Sequence, residues 1–545
     1  MTEAKKASGE AYSLLSGNLG IAILAVIGLA IAYRWASGYV LMAWRNHPIL
    51  LIGLAVGAIV ALLGLAAAWI WNRRVEQAYD ESITGPEINA VRLGKDEEGT
   101  PVYLKQRFRT MHAQVIGTTS AGKTESVILP WAIHDIENGS GLLIIDGKSD
   151  SAFLEKLYAY VVKAGREKDF RLFSLANLEA SHTFNPLMGG GPAEIVERVF
   201  SSFRIENEYY RNVQYKVFLL LVRLVVGRGM TSTFALLHHL LTDTNLLSSW
   251  AAEASDSALR QALAKLLGEN PKDRSEKTSG LETFLSHFAI GEYATLFNSE
   301  KPDIQFDRAL AESQICYFQL PSMYLPFLAE ATGKLVLQSF QNAVSKRHIG
   351  KASNKGQFFS CFLDDFQDYI YEGFGSLLNK SRSANIGVVF SHQAIGDLDK
   401  VSPAFTNVVL TNTNIKCVMR TSDPETSDYF ARSFGTEKAE KMTERRRNTV
   451  LGQSKTGEGS VREVEQYVIH PNEIRGQGLG RGIVTIPHAK GMKFLRVAFD
   501  RREDLPAVPI PTVQKAMPEI EATIRRENEK SNSATSETKP NTIRI

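Results

Sequence analysis

The chain has 545 residues, with 62 Lys+Arg against 59 Asp+Glu and a net charge of only +3. That balance excludes a polybasic binder whose whole surface attracts phosphate, and 44% apolar with 22% charged residues excludes a disordered chain. Cys316, Cys361 and Cys417 are too few for a disulfide framework and show no zinc spacing. Each lies in a short apolar run, as buried thiols of a reducing compartment do.

In chain order, the first features are membrane-like. Ala11–Tyr33 is uncharged, with Trp35 and Tyr39 following, and reads as a span over 13–33. Lys5, Lys6 and Ala30-Ile31-Ala32 also fit a signal peptide, against which the long apolar stretch argues. Ile49–Trp71 holds 23 residues without a charge or polar amide. At ~1.5 Å per residue this crosses a ~30 Å hydrocarbon core, with Trp69 and Trp71 at the interface. Lys5, Lys6, Arg73 and Arg74 outnumber Arg34 and Arg45, which places everything after Trp71 on the cytoplasmic side. The expectation is a membrane anchor over 1–72 with two transmembrane helices, 13–33 and 49–71.

Short apolar strands follow at Ala113–Ile116, Leu142–Ile145, Arg171–Leu175, Ile315–Leu320, Phe358–Leu363, Ile386–Phe390, Ile415–Met419 and Gly482–Ile486. Helix-length segments separate most of them, so the fold class is α/β with a largely parallel sheet covered on both faces. Between 194 and 290 the pattern turns helical, with Val213–Val226, Phe234–Leu241 and Ala251–Leu267, and reads as an inserted all-α domain. The segments 73–193 and 291–512 then form one nucleotide-binding domain. The Glu/Lys/Ser/Asn/Thr-rich 513–545 reads as a disordered tail.

Gly117-Thr118-Thr119-Ser120-Ala121-Gly122-Lys123-Thr124 fits G-x-x-x-x-G-K-[ST] at every fixed position, after a strand and before the helix-like Glu125–Ile136. Backbone N–H groups of such a loop cradle the phosphates of ATP. Lys123 neutralises the β- and γ-phosphates, and the Thr124 hydroxyl ligates Mg²⁺. The strand Phe358–Leu363 ends in Asp364-Asp365, at the edge where open α/β sheets bind ligands. Asp364 is the expected Mg²⁺ residue and Asp365 the group that polarises the attacking water. Asp146, at the end of Leu142–Ile145, is a rival that follows the loop too closely to be preferred, and reads as a switch or structural residue. Gln393, in Ser391-His392-Gln393, is placed to sense the γ-phosphate. Arg382, just before the strand Ile386–Phe390, is a candidate arginine finger for a neighbouring subunit. Arg445-Arg446-Arg447 lies in a Gly/Ser-punctuated stretch, Lys438–Val464, where a phosphate-touching patch and a solvated loop are equal readings.

These elements together resemble the coupling ATPases of type IV secretion and conjugation, the TraD/TraG group. The resemblance rests on the two apolar runs, Arg92-Leu93-Gly94-Lys95, Gly117–Thr124, Asp146-Gly147-Lys148-Ser149-Asp150 and Phe362-Leu363-Asp364-Asp365-Phe366. It continues through Arg382, Ser391-His392-Gln393, Val418-Met419-Arg420, Asp423-Pro424-Glu425 and Pro471-Asn472-Glu473-Ile474-Arg475. It implies a RecA-like P-loop motor domain and a homo-hexameric ring at the bacterial inner membrane. It also implies ATP hydrolysis that delivers DNA, single-stranded and relaxase-bound, to secretion-channel components. The family usually has Glu where Asp365 stands, one methylene shorter here, and its external loop is often longer than the connection between these spans. A receptor for protein effectors only, and a non-hydrolysing ATP-binding scaffold, are the alternatives.

Overall fold

The computed structural model describes residues 48–203, 205–349, 356–371, 373–449, 452–488 and 491–515. They divide into two units between Gly85 and Pro86. In the first, a helix runs over Pro48–Thr84 and continues well past Trp71, where the apolar run ends. Val56, Leu63, Leu65 and Trp71 are exposed on it. Among the described residues no helix is long and apolar enough to cross a membrane; described side chains cover only 56–71 of the apolar run. The span expected over 13–33 lies outside the described residues.

The second unit is built on an 11-stranded sheet. Its strands are β1 (Val91–Lys95), β2 (Pro101–Leu104), β3 (Ala113–Ile116), β4 (Gly141–Asp146), β5 (Phe170–Ser174), β6 (Ile315–Gln319), β7 (Phe359–Asp364), β8 (Ile386–His392) and β9 (Ile415–Met419). A separate ribbon, β10 (Thr436–Thr449) and β11 (Gly452–Tyr467), precedes β12 (Arg481–His488) and β13 (Gly491–Phe499). The sheet order is β2-β1-β13-β12-β9-β3-β8-β7-β4-β6-β5. Every pairing from β9 to β5 is parallel. Every residue of β3, β4, β6, β7 and β8 is buried, because helices cover both faces. At the β9 edge, β12, β13, β1 and β2 add in antiparallel succession. The strand expected at Gly482–Ile486 therefore exists but runs against its neighbour.

Between β5 and β6 the chain is helical, from Pro192–Phe200 to Ala294–Phe297. Side chains of Asn207, Thr233, Asp243, Asp256 and Asn270 each accept a backbone N–H at a helix start, so the sequence punctuates these helices itself. The helices share one core with the sheet. Phe234 stacks on Phe288 (4.5 Å between centroids), Phe288 meets Phe297 (4.9 Å), and Phe297 meets Phe173 of β5 (5.3 Å).

The stretch 438–464, read from sequence as either a phosphate-touching patch or a solvated loop, is instead most of the β10–β11 ribbon, paired from Thr436↔Tyr467 to Thr449↔Gly452. Arg445, Arg446 and Arg447 fall on β10, and their side chains lie outside those described. The three cysteines are buried and unpaired. At the C-terminal end the chain is still docked where the tail was expected to begin, since the Val513 N–H donates to the Glu179 carbonyl at 2.8 Å. The rest of that tail, 516–545, lies outside the described residues.

Candidate functional site

The phosphate-loop sequence leaves β3 at its C-terminal end and folds back as a compact turn. Ser120 (φ 66°) and Gly122 (φ 92°) take left-handed conformations, and the Ala121 N–H donates to the Thr118 carbonyl at 3.1 Å. Neighbouring segments brace the turn. The Thr118 N–H donates to the Arg420 carbonyl beyond β9 (2.9 Å), and the Gly480 N–H before β12 donates to the Ala121 carbonyl (3.2 Å). A Cβ on Gly122 would stand 3.2 Å from Ser126 Oγ and 3.3 Å from Leu479 Cδ1, so only glycine follows this path comfortably.

Lys123 is buried and turns inward, its Nζ donating to the Gly117 carbonyl at 2.7 Å. Burial lowers its pKa, while Asp365 and Asp364 oppose that shift. Thr124 opens the helical turn Thr124–Ile128. Its hydroxyl donates to Asp364 Oδ2 at 2.7 Å, joining two groups 240 residues apart in sequence. The sheet order explains the meeting, because β8 alone separates β3 from β7. Asp364 Oδ1 accepts from the Ser391 hydroxyl (2.6 Å) and from the Asp365 N–H (3.2 Å). Asp365 is buried in a left-handed conformation (φ 47°), and its Oδ2 pairs with Lys148 Nζ at 2.7 Å. Its Oδ1 is buried without a hydrogen-bond partner.

This donor set fits a magnesium-bound polyphosphate. Two hard oxygens, the Thr124 hydroxyl and the Asp364 carboxylate, stand together beside a loop whose turn favours glycine at position 122, with an ammonium at its base.

Asp146, the rival acid, is fully engaged. Its oxygens accept the N–H groups of Lys148 (2.9 Å), Ser149 (3.1 Å) and Asp150 (2.8 Å) and the Tyr317 hydroxyl (2.9 Å). Burial pushes its carboxyl up to about 6, with the Tyr317 hydrogen bond pulling the other way. Asp146 therefore shapes the loop after β4 and has no oxygen to spare for a cation.

Gln393 follows His392, which lies opposite Ile116 in the β3–β8 register, so it stands level with the start of the phosphate loop. Its N–H donates to Asp397 Oδ2 at 3.0 Å. Arg382 is not brought to this site. It precedes β8, at the opposite end of the parallel strands, roughly 20 Å away at ~3.3 Å per residue. It is exposed there, in an open concavity with Gln106, Thr110, Asn379 and Asn385.

Sequence reasoning gave no role to Lys148 or Ser391, although both lie in motifs singled out above. The available signal was a lysine two residues after a strand-ending acid and a serine at the end of the strand beside Asp364.

Comparison with known proteins adds a common theme. A family model described as the TraM recognition site of TraD and TraG matches residues 359–477. The type 4 coupling protein DotL of Legionella pneumophila is 21% identical over 441 residues, 66% of this chain. The match spans about half, 55%, of that relative's length. The structure of the bacterial conjugative coupling protein TrwB in an unbound form superposes with a TM-score of 0.55 at 14% identity, covering 76% of this chain and 91% of that one. TrwB in complex with ADP and Mg²⁺ gives a TM-score of 0.54 at 13% identity, covering 74% and 89%. The mixed α/β fold with its large parallel sheet is the one seen in TrwB.

Proposed function

We propose, from its likeness to the type IV coupling proteins, that this chain is a RecA-like coupling ATPase that delivers a DNA–relaxase substrate to a type IV secretion channel. The observation that carries its nucleotide-hydrolysing part is the 2.7 Å contact between Thr124 and Asp364 at the mouth of the phosphate loop, and its delivery part rests on the likeness to coupling proteins. Bound ATP and Mg²⁺ supply a labile phosphoanhydride and a cation that neutralises its charge.

The chain's own residues do the rest. The loop Gly117–Thr124 wraps the phosphates with N–H groups, and Lys123 exchanges the Gly117 carbonyl for them. Thr124 and Asp364 hold the cation. Asp365 accepts the proton side of the attacking water, and Gln393 senses the terminal phosphate from the end of β8. Arg382 lies too far from its own loop to act in cis, which favours a ring in which it reaches the next subunit's nucleotide. A homo-hexamer on the cytoplasmic face of the inner membrane, held by the apolar segments 13–33 and 49–71 of the sequence, completes the proposal.

The test is ATP turnover by the full chain in lipid discs, with and without single- and double-stranded DNA, and with Lys123→Ala as blank. DNA-stimulated turnover that rises steeply with protein concentration is expected. Turnover indifferent to DNA would point to protein effectors as the substrate. Tight nucleotide binding without turnover would leave an assembly scaffold.

A further inference from the structure

Six charged groups converge beyond the C-terminal ends of β4 and β7: Asp146, Asp364, Asp365, Asp368, Lys123 and Lys148. Most are satisfied. Asp146 is spent on its own loop, Asp364 on Thr124 and Ser391, and Asp368 accepts from the Ser322 hydroxyl at 2.7 Å. Asp365 differs, because its one side-chain partner is Lys148 and its other oxygen is buried and unpartnered.

The two members of that ion pair differ in freedom. The Asp365 side chain is 5% exposed, and its N–H is held by Asp364 Oδ1 and by Ser391 Oγ at 3.1 Å. The Lys148 side chain is 43% exposed on a four-carbon stem, while its backbone is fixed to Asp146. If the pair opens, the ammonium moves and the carboxylate stays. Lys148 is joined through Asp365 and Asp364 to Thr124, the residue after Lys123, so its ammonium lies on the same cluster as the mouth of the phosphate loop. A carboxylate neutralised at 2.7 Å is a weak acceptor for a water proton, and must be released before it can polarise one.

Resting on the nucleotide reading above, we propose that Lys148 is a positioning residue that trades Asp365 for the terminal phosphate of ATP. Without that phosphate the ammonium holds Asp365 closed. With it, the higher negative charge draws Lys148 across, and Asp365 is left with both oxygens free for the attacking water. ADP lacks the group that opens the pair, so the polarising carboxylate is available only when there is something to hydrolyse.

The test measures Kd for a non-hydrolysable ATP analogue and for ADP, both with Mg²⁺, by displacement of a fluorescent nucleotide from the full chain. In Lys148→Met the analogue should weaken roughly tenfold relative to ADP, the size of one lost charge-assisted hydrogen bond, and Lys148→Arg should restore most of it. Asp365→Asn, nearly isosteric and safe for the fold, should tighten the analogue severalfold relative to ADP by removing the competitor. That gain should vanish in the double variant with Lys148→Met. An analogue-to-ADP ratio within twofold of wild type in Lys148→Met, or a gain that persists in the double variant, would overturn the proposal. Failure of the parent reading looks different, since wild type and Lys123→Ala would then bind nucleotide equally poorly.

Discussion

Arg109 shows how single side chains brace the sheet at the end away from the phosphate loop. Its guanidinium makes a bidentate pair with Asp135 (2.5 and 2.7 Å) and donates to Ser360 Oγ of β7 at 3.1 Å. Both charges are 2% exposed, and the guanidinium lies over the Phe358 ring at 4.8 Å. The pair ties the helix Leu129–Glu137, which continues from the loop, to the strand that carries Asp364. Removing one partner strands a buried charge. Arg109→Met should therefore destabilise the fold by about 3–5 kcal/mol, and adding Asp135→Leu should recover much of that loss. Urea unfolding of the three proteins decides it; a cost below ~1 kcal/mol for the single change would mean that the pair is not isolated from water. Neither residue stood out in the sequence, because the two stand 26 positions apart and share no motif. Asp364, by contrast, was legible, since a strand-ending acid needs only its local run to be noticed.

At the scale of elements, the phosphate loop is the clearest case of sequence dictating shape. Gly122→Ala places a Cβ at φ 92° and against Ser126 and Leu479. Strain of about 1–3 kcal/mol is expected, with nucleotide affinity falling at least ~10-fold as the N–H groups lose their common focus. A thermal midpoint and nucleotide affinity equal to wild type would show that the loop relaxes around the methyl group. The strands buried on both faces were readable as unbroken apolar runs. β1, β2 and β13 were not, because a strand with one wet face lacks an unbroken apolar run, as in β2, where Val102 and Leu104 are buried and Pro101 and Tyr103 are not. The β10–β11 ribbon escaped for a related reason, having a polar sequence punctuated by glycine and serine.

For the molecule as a whole, acid is the expected weakness of the second unit. His112 donates from Nε2 to the Leu378 carbonyl (2.8 Å) and accepts the Val388 N–H at Nδ1 (3.2 Å), which fixes a neutral ring. His392 donates from Nδ1 to the Ala394 carbonyl (2.8 Å), with Gln114 at its Nε2 (2.7 Å). Burial, more than any nearby charge, pushes both down to about 4 from the usual 6.5. Between those values the unfolded chain takes up protons that the folded chain refuses. The stability they confer is thus present above pH 6.5 and is lost as pH falls toward 4. At pH 5 the two rings together should cost roughly 4 kcal/mol, seen as a lower urea midpoint than at pH 7. Folded-state imidazole resonances titrating near 6.5 would contradict this.

The sequence by itself determined what depends on neighbours in the chain: the phosphate loop, the paired acids at a strand end, the fully buried strands, the helical run between β5 and β6, and the apolar N-terminal segment. Only the tertiary structure decided the order and direction of strands, and with them which loops share an edge. That order brings Thr124 to Asp364, sends Arg382 to the far end of the sheet, engages Asp146 with its own loop, and sets Lys148 on Asp365. Such meetings join residues from separate strands and loops, and no local pattern of polarity encodes which strand lies beside which.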